Sequence, residues 1–218
     1  LINSSFLGAK LNWIDMSESR LLNCQFGRAE LFSADLSRSD LSGSDFTRAY
    51  LTRANLSGCI FSKCKMSYAD MSYANLSGAD LQGIYFKNNQ MDLADFSGAN
   101  LSGATFFAIS AEGMNFRKAA LNSVKMSGVL LKGLDLSYAD LRNIEISRSS
   151  LEDINLTGAD LRGANMTIVH LANVDLSGAN LEGIKYDQIG LIFLASSRLN
   201  GTRMSPDLKG DIDRIRSG

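Results

Sequence analysis

From Leu1 to Leu191 every fifth residue is large and apolar, the register never slips, and only Ala111 departs from the rule. A period of five belongs neither to a helix, whose faces recur about every 3.6 residues, nor to a strand, whose faces alternate. An internal repeat this regular decides architecture before local propensity does, because each unit must be built and stacked like its neighbours. Around each centre the sequence reads A-(D/N)-L-S-G, as in Ala54-Asn55-Leu56-Ser57-Gly58. The residue two before the centre is mostly small (Ala29, Ala34, Ala74, Ala94), and Gly recurs two after it (Gly43, Gly58, Gly98, Gly178). The simplest geometry is a short bent segment at each repeat, with the centre and the small residue pointing inward.

This pattern resembles the pentapeptide-repeat family over residues 1–194. The resemblance implies an all-β fold, a right-handed parallel quadrilateral β-helix with four repeats per coil. The residues support that count by themselves. Sorted at a period of twenty, one column of centres reads Phe6, Phe26, Phe46, Met66, Phe86, Phe106, Met126, Ile146, Met166 and Tyr186, while the others are mainly Leu. Such a ladder is expected if these side chains stack coil upon coil. Residues 1–194 then make just under ten coils, a rod roughly 45 Å long at the spacing of paired strands.

The inward small positions sort too. One column, Ser19 through Cys59 to Ala179, never admits a large residue, whereas the other three gain Val124, Ile109, Met114 and similar residues toward the C-terminus. Close packing penalises voids and overfilling alike, so the cross-section is expected to widen in all three columns beyond about residue 104. Ile189 and Leu194 are read as inward positions of the last coil. Asn89 is the one amide at an inward position. It is expected to bond to inner backbone carbonyls or water, with a local distortion over 87–113.

The chain divides into a repeat body, 1–194, and a segment, 195–218, that caps it or begins a linker to a following domain. Ser205-Pro206-Asp207 is a helix-start signal, and Leu208, Ile212 and Ile215 fall on one face of the helix it opens. The N-terminus enters the repeat abruptly, which suggests a piece of a longer protein. No run reaches the roughly 18 apolar residues of a membrane span. Cys24, Cys59 and Cys64 sit at inward small positions and read as compact apolar residues. Cys24 and Cys64 are too far apart to bridge; the Cys59–Cys64 pair, on neighbouring faces, stays open.

Enzyme chemistry finds no support, and no cofactor or metal is implied. His170, the only histidine, lies one before a centre on the outer surface, without a nucleophile placed beside it by the register. The aspartates look like catalytic carboxylates but form a vertical ladder with asparagines (Asp15, Asp35, Asn55, Asn75, Asp95), followed in chain order by a ladder of Ser. These are turn-satisfying residues.

The family resemblance implies a rigid surface presented to a protein partner: a recognition domain of a bacterial effector, cytoplasmic or delivered into a host cell, or a mimic of duplex DNA that binds DNA gyrase. Lys and Arg total 22 against 23 Asp and Glu, a net charge of −1, which suits neither a DNA mimic nor a nucleic-acid binder. The expected function is therefore a non-catalytic interaction domain with a protein partner, with DNA mimicry as the alternative. The C-terminal end offers a surface for a homodimer. The candidate partner surface comes from outer residues that break the polar rule. Arg28, Arg48 and Tyr68 share one column, Trp13, Arg53 and Tyr73 share the column of the adjacent corner, and Tyr50 lies between them. Arg and aromatic side chains together are enriched at binding hot spots.

Overall fold

A computed structural model describes residues 1–167 and 169–217. The chain winds into a parallel β-solenoid in which each residue pairs with the one twenty positions on. Asp15 bridges to Asp35, Asp35 to Asn55, Asn55 to Asn75 and Asn75 to Asp95, and the other faces do likewise. In the N-terminal half each face contributes only a single bridge per coil. Turns closed by a hydrogen bond from the inward small residue to the preceding centre separate the faces, as from Ala29 N to Phe26 O (2.9 Å) and from Ala54 N to Leu51 O (2.9 Å). From Leu21 to Leu181 the centres are buried in one continuous core, stacked as four columns. Phe6, Phe26 and Phe46 stack at 4.8 Å with rings within 8° of parallel, and Phe96 stacks on Phe116 at 5.0 Å. The aromatic ladder read from the sequence is thus real, and each fully buried ring contributes roughly 1.5–3 kcal/mol.

Toward the C-terminus true strands appear. β1 (Tyr85–Lys87), β2 (Thr105–Phe107), β4 (Lys125–Ser127) and β6 (Glu145–Ser147) form one four-stranded sheet; β3 (Ser110–Glu112), β5 (Leu130–Lys132), β7 (Ser149–Asn155) and β8 (Val169–Asp175) form the next. Here the turns open. Among the described residues, no bond from the inward residue to the preceding centre closes the turn at Asn89, Ile109, Met114, Val129 or Leu134. The widening occurs at two corners rather than the three expected. In the third column Ile84, Val124, Ile144 and Ile184 keep the closing bond, stretched only to 3.1–3.2 Å. The two open corners flank the same face, so one side of the rod takes up the extra width. Small size does not keep a corner shut: Ser149 follows the open corner of Val129 one coil below, accepting from Val129 N and donating to Ser147 O.

The end of the repeat differs from the sequence reading. Residues Gln188–Ser196 form helix α1, which begins inside the stretch expected to be repeat and runs past its end at 194. Asp187 caps it, accepting from Gly190 N at 2.8 Å. Leu191 and Leu194 are buried, but Ile189, expected to point inward, is exposed. A helix satisfies its own backbone, whereas a strand at this edge would have no coil above to pair with. The chain then returns to the stack, Arg198 pairing with Asp175 and Arg203 with Asn180. That offset of twenty-three instead of twenty means the helix absorbs three extra residues.

Helix α2 spans Pro206–Ser217. It starts where the Ser-Pro-Asp signal placed it, with Ser205 Oγ accepting from Leu208 N at 3.2 Å. Leu208 and Ile212 are buried and Ile215 partly so, as the spacing predicts. Arg216 donates to Ala195 O (2.7 Å) and Ser197 O (2.8 Å), binding α2 to the carbonyl end of α1.

Candidate partner-binding face

Backbone geometry gives the outer positions their meaning. From Asn3 to Gly183 the described residues two after each centre all have φ between +51° and +74°. This left-handed region costs an L side chain roughly 1 kcal/mol and glycine almost nothing, which is why Gly recurs there. Six of the seven candidate residues occupy this position: Trp13 (+59°), Arg28 (+56°), Arg48 (+61°), Arg53 (+59°), Tyr68 (+63°) and Tyr73 (+60°). The glycine pattern was the available sign that such side chains are held against a backbone preference.

The structure brings most of them together in pairs. The Arg48 guanidinium lies over the Tyr68 ring, 5.6 Å from its centre, and Arg53 lies over Tyr73 at 5.5 Å. Lys87, not anticipated, approaches Tyr68 from the next coil at 6.0 Å and Phe107 at 5.9 Å, extending the ladder upward. Trp13 does not join Arg53; it meets Phe32 edge-on at 5.6 Å, a partner the sequence reading missed. Tyr50 stands between the two edges, exposed, with Glu30 one coil below and Asp70 one coil above. Among the described residues no carboxylate pairs with Arg28, Arg48 or Arg53, whereas Arg38, Arg162 and Arg198 each hold one and Arg142 two. The acids on this face are engaged elsewhere. Glu30 accepts from Asn12 Nδ2 (3.2 Å), and Asp70 accepts from Thr52 Oγ1 and Ser72 N (both 2.9 Å).

The remaining polar columns are structural. Asn55 donates to Asp35 (3.1 Å), Asn115 to Asp95 (2.9 Å) and Asn155 to Asp135 (3.2 Å), up the ladder expected from the sequence. Each carboxylate also accepts from the backbone N–H two residues on, as Asp35 does from Ser37 and Asp175 from Ser177. Hydrogen bonds from Ser37 hold the Asp35 carboxyl below its ordinary range, and bonds from Ser177 do the same for Asp175. The three cysteines are free and buried, which leaves the Cys59–Cys64 pair unbridged. Burial pushes Cys59 up to about 11 and Cys64 up to about 12. His170 is exposed, with Ser150 Oγ 3.4 Å from its Nδ1 and the Phe193 ring of α1 against it. Among the described residues no group of three or more His, Cys, Asp or Glu is placed to hold a metal, and no helix is long and apolar enough to cross a membrane.

The sequence matches the profile described as pentapeptide repeats across 9–106 and 114–185. The chain belongs to the pentapeptide-repeat family. The gap between the two matched stretches, 107–113, spans the first large inward residue of the open corners, Ile109, and the shortened centre, Ala111. No curated protein sequence matches the chain. Solved structures similar to it include HetL, a pentapeptide repeat protein involved in heterocyst differentiation regulation from the cyanobacterium Nostoc sp. strain PCC 7120. It is 26% identical, over 93% of this chain and 84% of that one, with a TM-score of 0.30. Another is a trypsin-treated variant of QnrB1, a plasmid-mediated fluoroquinolone resistance protein, at 19% identity over 100% of this chain and 96% of that one, TM-score 0.36. A third is Rfr23 from the cyanobacterium Cyanothece 51142, at 17% identity over 92% and 91%, TM-score 0.17.

Proposed function

We propose that this pentapeptide-repeat chain is a non-catalytic, rigid interaction module that engages a protein partner through Trp13, Arg28, Arg48, Tyr50, Arg53, Tyr68 and Tyr73. One observation carries the reading. Arg48 over Tyr68 and Arg53 over Tyr73 line the two corners of one face, at left-handed positions that glycine fills elsewhere in the rod and that Arg38, Leu93 and Tyr138 also occupy. Cation–π contacts at exposed sites return only about 0.5–1 kcal/mol each, which roughly offsets the backbone cost and leaves no stability gain to explain them. Arg, Tyr and Trp are also the side chains most enriched where binding energy concentrates. The rod suits this role because each coil is fixed by its neighbours, so little ordering is needed on binding. Imitation of duplex DNA is less well supported, since Asn55, Asn75, Asn115 and Asn155 interrupt the aspartate ladder and the net charge is only −1.

The test uses affinity capture from an extract of the source cells, comparing the native chain with an Arg48→Gly/Arg53→Gly/Tyr73→Gly variant of equal thermal stability. Loss of the captured partner in the variant is expected. Recovery of the same proteins in the same amounts rejects this face.

A further inference from the structure

We infer that the partner presents an acidic polypeptide segment, whose carboxylates are received by Arg28, Arg48 and Arg53. The inference rests on the reading of this face as a partner surface and adds its chemistry. Among the described residues the three guanidiniums have no carboxylate, unlike Arg38, Arg142, Arg162 and Arg198. Arg20, Arg117, Arg148 and Arg203 also lack one, but only here do three such arginines flank a single face with an exposed Tyr between them. Arg48 and Arg53 are held over Tyr68 and Tyr73, and among the described residues their guanidinium N–H groups make no side-chain hydrogen bond, so they can bind a planar carboxylate through two hydrogen bonds. Tyr50, exposed between the edges, and Trp13 below it supply apolar area beside the charges.

The arrangement also selects between anions. Cations line the two corners, but Glu30 and Asp70 stand in the middle row on either side of Tyr50. A nucleic-acid strand carries a phosphate at every nucleotide and would have to bring some of them against these carboxylates. A peptide can place isolated carboxylates at the edges and neutral residues over the centre. Successive side chains of an extended peptide point to opposite sides, so alternating acids reach one edge at a time.

Fluorescence anisotropy with labelled probes tests the inference on the whole chain. The probes are a peptide of alternating Glu and Ala, its Gln-for-Glu counterpart and an oligo-dT strand of similar length. The acidic peptide should bind and weaken with added salt, and an Arg48→Gly/Arg53→Gly variant of native stability should bind it at least tenfold more weakly. Equal binding of the Gln peptide, tighter binding of oligo-dT, or undiminished binding by the variant overturns the inference. If no acidic peptide binds while the glycine variant still loses its captured partner, the acidic class is rejected and the interaction face stands.

Discussion

The Arg48 guanidinium lies 5.6 Å from the centre of the Tyr68 ring one coil above, and both residues hold left-handed backbone. The contact and the strain work against each other at similar magnitude. Replacing Arg48 by Gly removes both and should change stability by less than about 1 kcal/mol. Replacing it by Val removes the contact and puts a β-branched residue at positive φ, at a cost of about 1–3 kcal/mol. Chemical denaturation of the two variants gives the comparison; a glycine variant less stable than the valine variant contradicts the backbone argument.

Asn89 marks the first opened turn in its column and repeats a bond used by smaller residues. Ser39, Ser44, Cys59 and Cys64 each donate to the carbonyl twenty-three residues earlier, and Asn89 Nδ2 does the same to Met66 O, with a second bond to Ala69 O at 3.2 Å. Its Oδ1 is buried without a partner among the described residues. Asn89→Ser should therefore be tolerated, within about 1 kcal/mol, because the hydroxyl can donate to Met66 O and the unpaired oxygen is gone. Asn89→Asp sets a carboxylate against two carbonyl oxygens and should cost on the order of 3 kcal/mol or more at neutral pH. Burial raises that carboxyl's pKa, so the loss should shrink as pH falls and the group is protonated. Equal stability of the two variants at pH 7 would show that Asn89 is not held as described.

Sequence periodicity made the coils legible because one large apolar residue in five must face inward, with a small one two before it, and any error in register would expose them. Phe26, Phe46 and the Asp35–Asn55 ladder follow directly from that count. Helix α1 was hidden because Leu191 and Leu194 satisfy the period of five and a helical face alike; only Asp187, a capping residue ahead of Gly190, marked the change. The Trp13–Phe32 contact escaped for a different reason. Phe32 lies just after a centre, in a position filled by Ser more often than by any other residue, and a period of twenty pairs Trp13 with Ser33 instead. Which two of three widening columns would open was also invisible, since Ile144 and Ile109 look alike until their neighbours on the shared face are considered.

The cysteines give a direct check on core integrity. Cys59 Sγ donates to Leu36 O and Cys64 Sγ to Leu41 O, and burial raises both thiols, to about 11 and about 12. The thiolate is the reactive form, so at pH 8 the folded rod should resist alkylation at both sites and be modified fully only after unfolding. Mass spectrometry after a timed iodoacetamide pulse reads this out. Rapid native labelling of Cys59 or Cys64 would mean that the N-terminal coils open far more often than their packing implies.

Acid should unfold the rod through its turn-forming carboxylates. The Ser37 hydroxyl, with the Ser37 N–H acting against partial burial, lowers Asp35; Arg142 and Arg162 hold Asp140 and Asp160 down; Ser177 lowers Asp175. In the unfolded chain these groups titrate at about 3.9. A folded pKa below the unfolded value means the unfolded state takes up protons first as pH falls. The stabilisation is then complete above the unfolded pKa and is lost as pH drops through it toward the folded value. The thermal midpoint should stay nearly flat from pH 7 to about pH 5 and fall steeply below about pH 4. Asp35→Asn keeps an acceptor for the Ser37 N–H but does not titrate, so it should flatten part of that acid limb while lowering stability at pH 7. An acid limb unchanged in Asp35→Asn, Asp160→Asn and Asp175→Asn together would assign acid sensitivity to other groups.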